Sequence, residues 1–144
     1  MALNFEKFAM QGNKFLKELA QKLGYDEDTE RAGRILRAVM HVLRDELTLE
    51  ESIQMLAQLP MFLKAAYVEG WTLRKNRKKI RNLNDFCDEV RAIDKAISLD
   101  MYPDPHLEKA ISVVFGQLAK YLSSGELEDI KAVLPKGLKS IIKV

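Results

Sequence analysis

The chain has 144 residues, of which 47% are hydrophobic and 31% are charged, and this is the composition of a soluble globular protein. The net charge of +2 is too small to indicate nucleic-acid binding by itself, and the single cysteine, Cys87, excludes an internal disulfide and a metal site built from several cysteines. The sequence shows neither a signal-peptide core nor the roughly 18 consecutive apolar residues of a membrane span. We therefore expect a cytoplasmic protein without a membrane partner.

Four helices are predicted in the first half of the chain. The first covers residues 3–23, where Gly12 and Asn13 interrupt the apolar pattern, so this segment is either one helix with a weak middle or two short helices. The second covers residues 29–47 and has the most regular apolar stripe of period 3.6. The opposite face of this second helix carries Arg34, Arg37, His41 and Arg44.

The third helix is predicted to begin at a capping box, in which the side chains of Thr48 and Glu51 each accept a hydrogen bond from the other residue's backbone N–H. Its apolar residues, which we expect to be buried, are Leu49, Ile53, Leu56 and Leu59. Pro60 suits the first turn of a fourth helix, which ends at Gly70 and is followed by Trp71.

The second half of the chain follows a segment rich in lysine and arginine and is predicted to contain four more helices. The first of these is capped by Asn84 or Asp85, and the second covers residues 105–122. The last two open at Ser123 and at Pro135. Because no segment shows the alternation of a strand or a hairpin signal, the predicted fold class is all-α.

An internal repeat relates the two halves at a shift of 75 residues. The paired positions include Leu59-Pro60 with Leu134-Pro135, and Thr48 and Glu51 with Ser123 and Glu126. We therefore predict one compact domain over residues 1–144, a helical bundle of two related modules with pseudo-twofold symmetry. The modules are residues 15–71 and 84–143, and a basic linker, residues 72–83, joins them.

Several short motifs resemble those of the bacterial family catalogued as domain of unknown function 2267. They are RAVMHVLR at residues 37–44, AQLP at 57–60, YVEGW at 67–71, SGE at 124–126 and VLP at 133–135. The resemblance covers about residues 15–142 and implies a small helical protein with two related halves. It implies no activity, cofactor or catalytic residue.

No catalytic, metal or cofactor site is predicted. His41 and Asp45 lie one helical turn apart, but no third ligand is specified, so we interpret His41 as a surface histidine beside a carboxylate. Cys87 is interpreted as a small semi-buried hydrophobic residue. The chain contains no phosphate-binding glycine loop, dinucleotide fingerprint or nucleophile elbow. The sequence therefore favours a protein that is not an enzyme.

Nucleic-acid binding is one alternative function. It would use the face of Arg34, Arg37 and Arg44 together with the basic segment of residues 72–82. The basic residues of that segment are Arg74, Lys75, Arg77, Lys78, Lys79 and Arg81. Such a cluster neutralises phosphates with a salt-sensitive, sequence-independent affinity. The competing interpretation is a solvated hinge, with Glu30 pairing to Arg34.

Binding to another protein is our leading hypothesis. Met61, Tyr67 and Trp71 lie near the Leu-Pro step and would line a groove between the modules that accepts a partner helix. The competing interpretation is that these side chains seal the core. A pocket between the modules for a small molecule or a substrate is a further alternative. The sequence specifies neither the partner nor the oligomeric state.

Overall fold

The computed structural model describes residues 3–72, 79–100 and 104–142. The α-helices in these ranges are α1 Phe5–Leu23, α2 Thr29–Glu46, α3 Leu49–Gln58, α4 Met61–Val68, α5 Leu83–Ile93, α6 Lys95–Asp100, α7 Asp104–Ala119 and α8 Ser124–Val133. A 3₁₀ turn, Lys139–Ile141, follows α8. The predicted all-α fold class is confirmed, and none of the helices described is long and apolar enough to cross a membrane.

Helices α2 and α7 form the centre of the structure. Helix α2 contacts α1, α4, α5 and α7, while α7 also contacts α1, α5 and the 3₁₀ turn. Residues 38–44 of α2 are all buried, including His41 and Arg44. The prediction of an outward polar face was therefore wrong for these two side chains. Hydrophobic periodicity misses polar side chains that are buried and hydrogen-bonded.

Helix α3 in the first half and helix α8 in the second half begin 75 residues apart. Helices α3 and α8 each have ten residues, and their N-caps, Thr48 and Ser123, each accept a hydrogen bond of 3.1 Å from the backbone N–H three residues on. Helix α3 packs against α8, and α1 and α2 pack against α7, so helices of the two predicted modules contact each other. The pseudo-twofold symmetry and the module boundaries stay predictions.

Helix α1 is one continuous helix despite the glycine in its middle. It begins after Asn4, which caps the backbone N–H of Lys7, and it ends at Gly24 with φ +81°. A Cβ atom at Gly12 would lie 3.2 Å from the Cβ of Phe62 in α4. Gly12 therefore permits the close approach of α1 and α4 and does not break the helix.

Helix α3 turns a different face inward from the one predicted. Leu49 and Ile53 are 58% and 59% exposed, so the prediction that both are buried was wrong. The buried side chains of α3 are those of Glu51, Ser52 and Met55. Tertiary packing sets this orientation, because two of the three inward residues are polar and carry no apolar signal.

Two of the helix starts predicted in the C-terminal half differ in the structure, and the helix predicted over residues 105–122 ends earlier, at Ala119. Helix α5 begins after Asn82, whose side chain accepts a hydrogen bond of 2.9 Å from the Asp85 N–H, and not after Asn84 or Asp85. The helix predicted to open at Pro135 is reduced to the 3₁₀ turn. Gly137 forms an isolated bridge with Asn82, and a Cβ atom there would lie 2.9 Å from the Cα of Asn82. This position therefore requires glycine.

Candidate functional site

Arg44, the last arginine of α2, points to the C-terminal end of α4. Its Nη1 group donates hydrogen bonds of 2.7 Å to the carbonyl oxygens of Tyr67 and Glu69. These carbonyls lie at a helix end, where no further turn supplies N–H donors and where the helix dipole favours a positive charge. The side chain is buried, and its guanidinium carbon lies 5.8 Å from the ring centre of Trp71. Arg44 therefore caps α4 from the interior.

His41 lies one turn before Arg44 and contacts the same helix end. It is buried, and its Nε2–H donates a hydrogen bond of 2.9 Å to the carbonyl oxygen of Ala66. Burial lowers the pKa of His41 below its ordinary value; the charges of Arg44 and Arg37 act in the same direction, and the hydrogen bond to Ala66 opposes them. The interpretation of His41 as a surface histidine was therefore wrong, and the neutral ring holds α4 against α2.

Arg37 and Arg34 complete the predicted arginine face. Arg37 forms an ion pair with Glu69, with 3.3 Å between Nε and Oε2, and both side chains are about half exposed. Arg34 is half-buried and interacts within the chain. Of the three arginines predicted to contact nucleic acid, Arg44 is thus internal and the other two have partners within the chain.

The three residues predicted to line a groove lie in different environments. Tyr67 is fully buried, its hydroxyl lies 2.6 Å from the Oγ of Ser52, and burial raises its pKa above the ordinary value. Trp71 is half-buried and packs edge-on against Tyr67 at 5.5 Å. Met61 is 43% exposed. Tyr67 and Trp71 therefore pack at the junction of α2, α3 and α4, and Met61 is the most exposed of the three; their contact with a partner stays a prediction.

Two of the three motifs that carry the family resemblance in the first half, RAVMHVLR and YVEGW, contact each other. Arg37, His41 and Arg44 belong to RAVMHVLR, and the residues that they bond are those of YVEGW and the alanine before it. The polar side chains of this junction are those of Arg37, His41, Arg44, Ser52 and Tyr67. At the positions 75 residues later, the chain has Ser112, Gly116, Ala119, Leu127 and Ile142, in that order. Those residues surround a small apolar hollow of about 120 Å³. The polar network is therefore specific to the first half.

The structure describes residue 72 and residues 79–82 of the predicted basic segment. Arg74, Lys75, Arg77 and Lys78 lie outside the described residues. Lys79 and Arg81 are exposed, and the backbone N–H of Arg81 donates to the Asp85 carboxylate at 2.9 Å. Contact of these residues with nucleic acid stays a prediction.

The N-terminal end of α1 is an apolar surface that the sequence reasoning missed. We define the α1 apolar end as Phe5 and Phe8, which share one face of the helix. Phe5 is 73% exposed, and Phe8 is half-buried. Leu3 and Met10 are also exposed, but Leu3 precedes the helix and Met10 lies on its opposite, polar face. The rings of Phe5 and Phe8 pack edge-on at 6.1 Å. Both lie on the stripe that becomes buried further along α1, at Phe15 and Leu19. The inward face of α1 thus extends beyond the core, and periodicity alone does not show where the core stops.

A cleft of about 370 Å³ separates the end of α1 from the start of α7. Its lining includes the cationic or titratable side chains of Lys22, His106 and Lys109. Lys120 lies close enough to lower the pKa of Lys22, through a side-chain hydrogen bond and charge repulsion. The cleft therefore has a positive wall and lies between helices of the two predicted modules.

Together, the fold and these surfaces define a small all-helical protein whose arginine and histidine side chains lock one helix end. The model of the family described as Uncharacterized conserved protein (DUF2267) matches residues 12–141, which is 130 of the 144 residues, and the chain belongs to this family. No curated protein matches the chain. The match begins after the α1 apolar end, so that surface lies outside the shared pattern.

Proposed function

We propose that this protein acts by binding another protein, that it is not an enzyme, and that the α1 apolar end is the contact surface. The observation that supports this proposal is the exposure of Phe5, at 73%, on a helical stripe that is otherwise buried. Large exposed apolar side chains that continue a core face are typical of protein interaction sites. Aromatic residues are enriched in the buried centres of such interfaces, and a few buried aromatic anchors supply much of the binding free energy.

The chemistry of the α1 apolar end favours a protein partner over a nucleic acid. Asn4, Glu6 and Lys7 are the neighbours of the two phenylalanines in sequence, and all three are exposed. The charges of Glu6 and Lys7 are opposite, so this end of α1 has an apolar centre, a polar rim and little net charge. That arrangement matches a protein interface and lacks the positive field that phosphates require. An amphipathic helix of the partner is the expected occupant, packed along Phe5 and Phe8.

We further propose that the protein is bacterial and works in the cytoplasm. The family resemblance supports the first part. The second is supported by the single cysteine, Cys87, which is buried as a free thiol in the core and suits a reducing compartment.

The proposal is tested with two variants that each place a lysine at an exposed apolar position. F5K alters the α1 apolar end, and I53K alters α3, where Ile53 is 59% exposed. The tagged chain is used to isolate a partner from its native cells, and the purified pair is titrated by calorimetry. We expect F5K to weaken binding at least tenfold and I53K to leave it unchanged. Equal binding by F5K and the unaltered chain would refute the proposed surface.

Nucleic-acid binding stays the alternative proposal, and no described contact favours it. It is separated from protein binding by electrophoretic mobility with DNA and RNA at two salt concentrations. A shift that disappears at higher salt, and that is lost on replacing Lys79 and Arg81 with glutamine, would support it. We expect no shift.

A second candidate function, binding of a small anion, is favoured by the cleft between α1 and α7. Its volume of about 370 Å³ lies within the usual range of ligand sites, and Lys22 and Lys109 give it a positive wall. Calorimetric titration with small phosphates and dicarboxylates tests this candidate. Binding that is lost in K109Q would support it, and the absence of heat with every anion would remove it.

A further inference from the structure

Two buried glutamates face each other where α3 packs against α8. Glu51 and Glu126 occupy equivalent positions, three residues after the N-caps Thr48 and Ser123, and they are only 7% and 6% exposed. One carboxylate oxygen of each, Oε1, is buried and has no hydrogen-bond partner among the described residues. Buried carboxylate oxygens without a hydrogen bond are costly, so these two Oε1 atoms require an explanation.

Capping does not provide that explanation. In a capping box each glutamate would accept a hydrogen bond from the backbone N–H of its N-cap. The Ser123 N–H instead donates to the side-chain oxygen of Gln58, at 2.8 Å, and the Nε2 of Gln58 donates to the Ser123 hydroxyl at 3.3 Å. This contact between α3 and α8 occupies the donor that Glu126 would use. Only the hydroxyl half of the box at Ser123 is therefore formed, and among the described residues the Thr48 box likewise shows only its hydroxyl bond. The predicted reciprocal bonds from the glutamates were wrong.

The two carboxylates also repel each other. The pKa of Glu126 is raised to about 7 by burial, by a hydrogen bond with Glu51 and by the charges of Glu51 and Asp129. No ion pair with lysine or arginine compensates these groups within the described part of the chain. Each glutamate therefore has a buried oxygen without a hydrogen bond and no compensating cation among the described residues, and a bound cation would supply one.

We propose that Glu51, Glu126 and Asp129 form a binding site for a hard divalent cation at the contact of α3 and α8. One carboxylate oxygen from each of the three residues lies within 4.8 Å of the other two. A Ca²⁺, Mn²⁺ or Mg²⁺ ion with oxygen ligands at about 2.0–2.6 Å fits between oxygens so spaced. The ligand set consists only of carboxylates, which favours these ions over zinc or copper. Asp129 is exposed, so water reaches the remaining coordination positions from its side.

Such an ion would join the two halves of the chain, because Glu51 belongs to α3 and the other two ligands belong to α8. It would also supply a partner for the carboxylate oxygens of Glu51 and Glu126 that are buried without a hydrogen bond. This role is independent of the α1 apolar end, which lies on another helix.

The experiment is a titration of the full chain, freed of metal with EDTA and dialysed, with Mn²⁺ followed by electron paramagnetic resonance and Ca²⁺ followed by calorimetry. E51Q and E126Q each remove one buried ligand, and neither is expected to unfold the chain because each relieves the repulsion. Glu50 and Glu128 are exposed neighbours on the same two helices, so E50Q and E128Q are the matched controls. Circular dichroism verifies the fold of each variant.

We expect one ion per chain, at least tenfold weaker binding in E51Q and in E126Q, weaker binding in D129N, and unchanged binding in E50Q and E128Q. The absence of binding by Mn²⁺ and Ca²⁺ would overturn the proposal. Equal loss of binding in E50Q and E51Q would overturn it too, since the ion would then bind the acidic surface in general.

Discussion

Replacing Arg44 with methionine removes the buried guanidinium that caps α4 and keeps a side chain of similar length. The carbonyl oxygens of Tyr67 and Glu69 then lose their common donor at 2.7 Å. The bond to Tyr67 is buried, whereas the bond to Glu69 is partly buried, so water replaces the donor only at Glu69. A hydrogen bond to a charged group contributes about 1.5–3 kcal/mol, and a carbonyl left buried without a donor costs about 1–3 kcal/mol.

Loss of the guanidinium also removes the cost of burying a charge, which offsets part of this destabilisation. We therefore expect R44M to lower the free energy of unfolding by about 2–4 kcal/mol, after discounting for that offset. For a chain of this length, the melting temperature falls by roughly 3 °C for each kcal/mol, which is a decrease of about 6–12 °C. Urea denaturation followed by circular dichroism measures the first quantity, and a thermal scan measures the second.

The control for R44M is R37M, because Arg37 lies on the same helix and pairs with Glu69 at a half-exposed position. Exposed ion pairs contribute less than about 1 kcal/mol, so R37M should cost little. The reasoning is refuted if R44M unfolds at the same urea concentration as the unaltered chain, or if the two substitutions cost equal amounts. Either result would mean that Arg44 does not hold the end of α4.

Three further predictions concern the core and the α3–α8 contact. Because the pKa of Glu126 is raised from 4.5 to about 7, the folded chain keeps a proton that the unfolded chain releases. In EDTA, the free energy of unfolding should therefore fall by roughly 1–3 kcal/mol as the pH rises from about 4.5 to 7, and this pH dependence should be weaker in E126Q. A free energy of unfolding that rises over this range would contradict the raised pKa. Y67F leaves the buried Ser52 hydroxyl without its partner at 2.6 Å and should lower the free energy of unfolding, measured by urea denaturation, by about 1–2 kcal/mol. An unchanged free energy of unfolding would disprove that hydrogen bond. G137A should lower the melting temperature, because the new Cβ meets the backbone of residues 81 and 82. G116A should raise it, because Gly116 lies in a helix and a Cβ there meets open space. The opposite order of melting temperatures would contradict the described packing.

Much of the fold was predictable because its local signals agree with its tertiary structure. The second predicted helix matches α2 to within one residue at its end, and the N-caps Thr48 and Ser123 are confirmed. These features depend on short-range chemistry, namely helical periodicity and side chains that accept from nearby N–H groups. The 75-residue offset of the caps was likewise visible in the sequence.

The sites were less predictable because they depend on contacts between distant residues. Arg44 is an ordinary exposed arginine by sequence, and only its position opposite the end of α4 makes it a buried cap. Glu51 and Glu126 matched a capping box, and only the packing of α3 on α8 turns them toward each other. Phe5 continued an apolar stripe, but its exposure depends on where the neighbouring helices end. Local patterns carry no information on these distances.

The most direct test of the central claim, that the α1 apolar end binds a protein, is site-specific photo-crosslinking in native cells. A photoreactive phenylalanine analogue is placed at position 5 and, in a matched chain, at position 53. Both positions are exposed, and they lie on different helices. We predict one discrete crosslinked protein from position 5 and none of the same mass from position 53. Absence of a product from position 5, the same products from both positions, or a crosslink only to a second copy of this chain would contradict the claim.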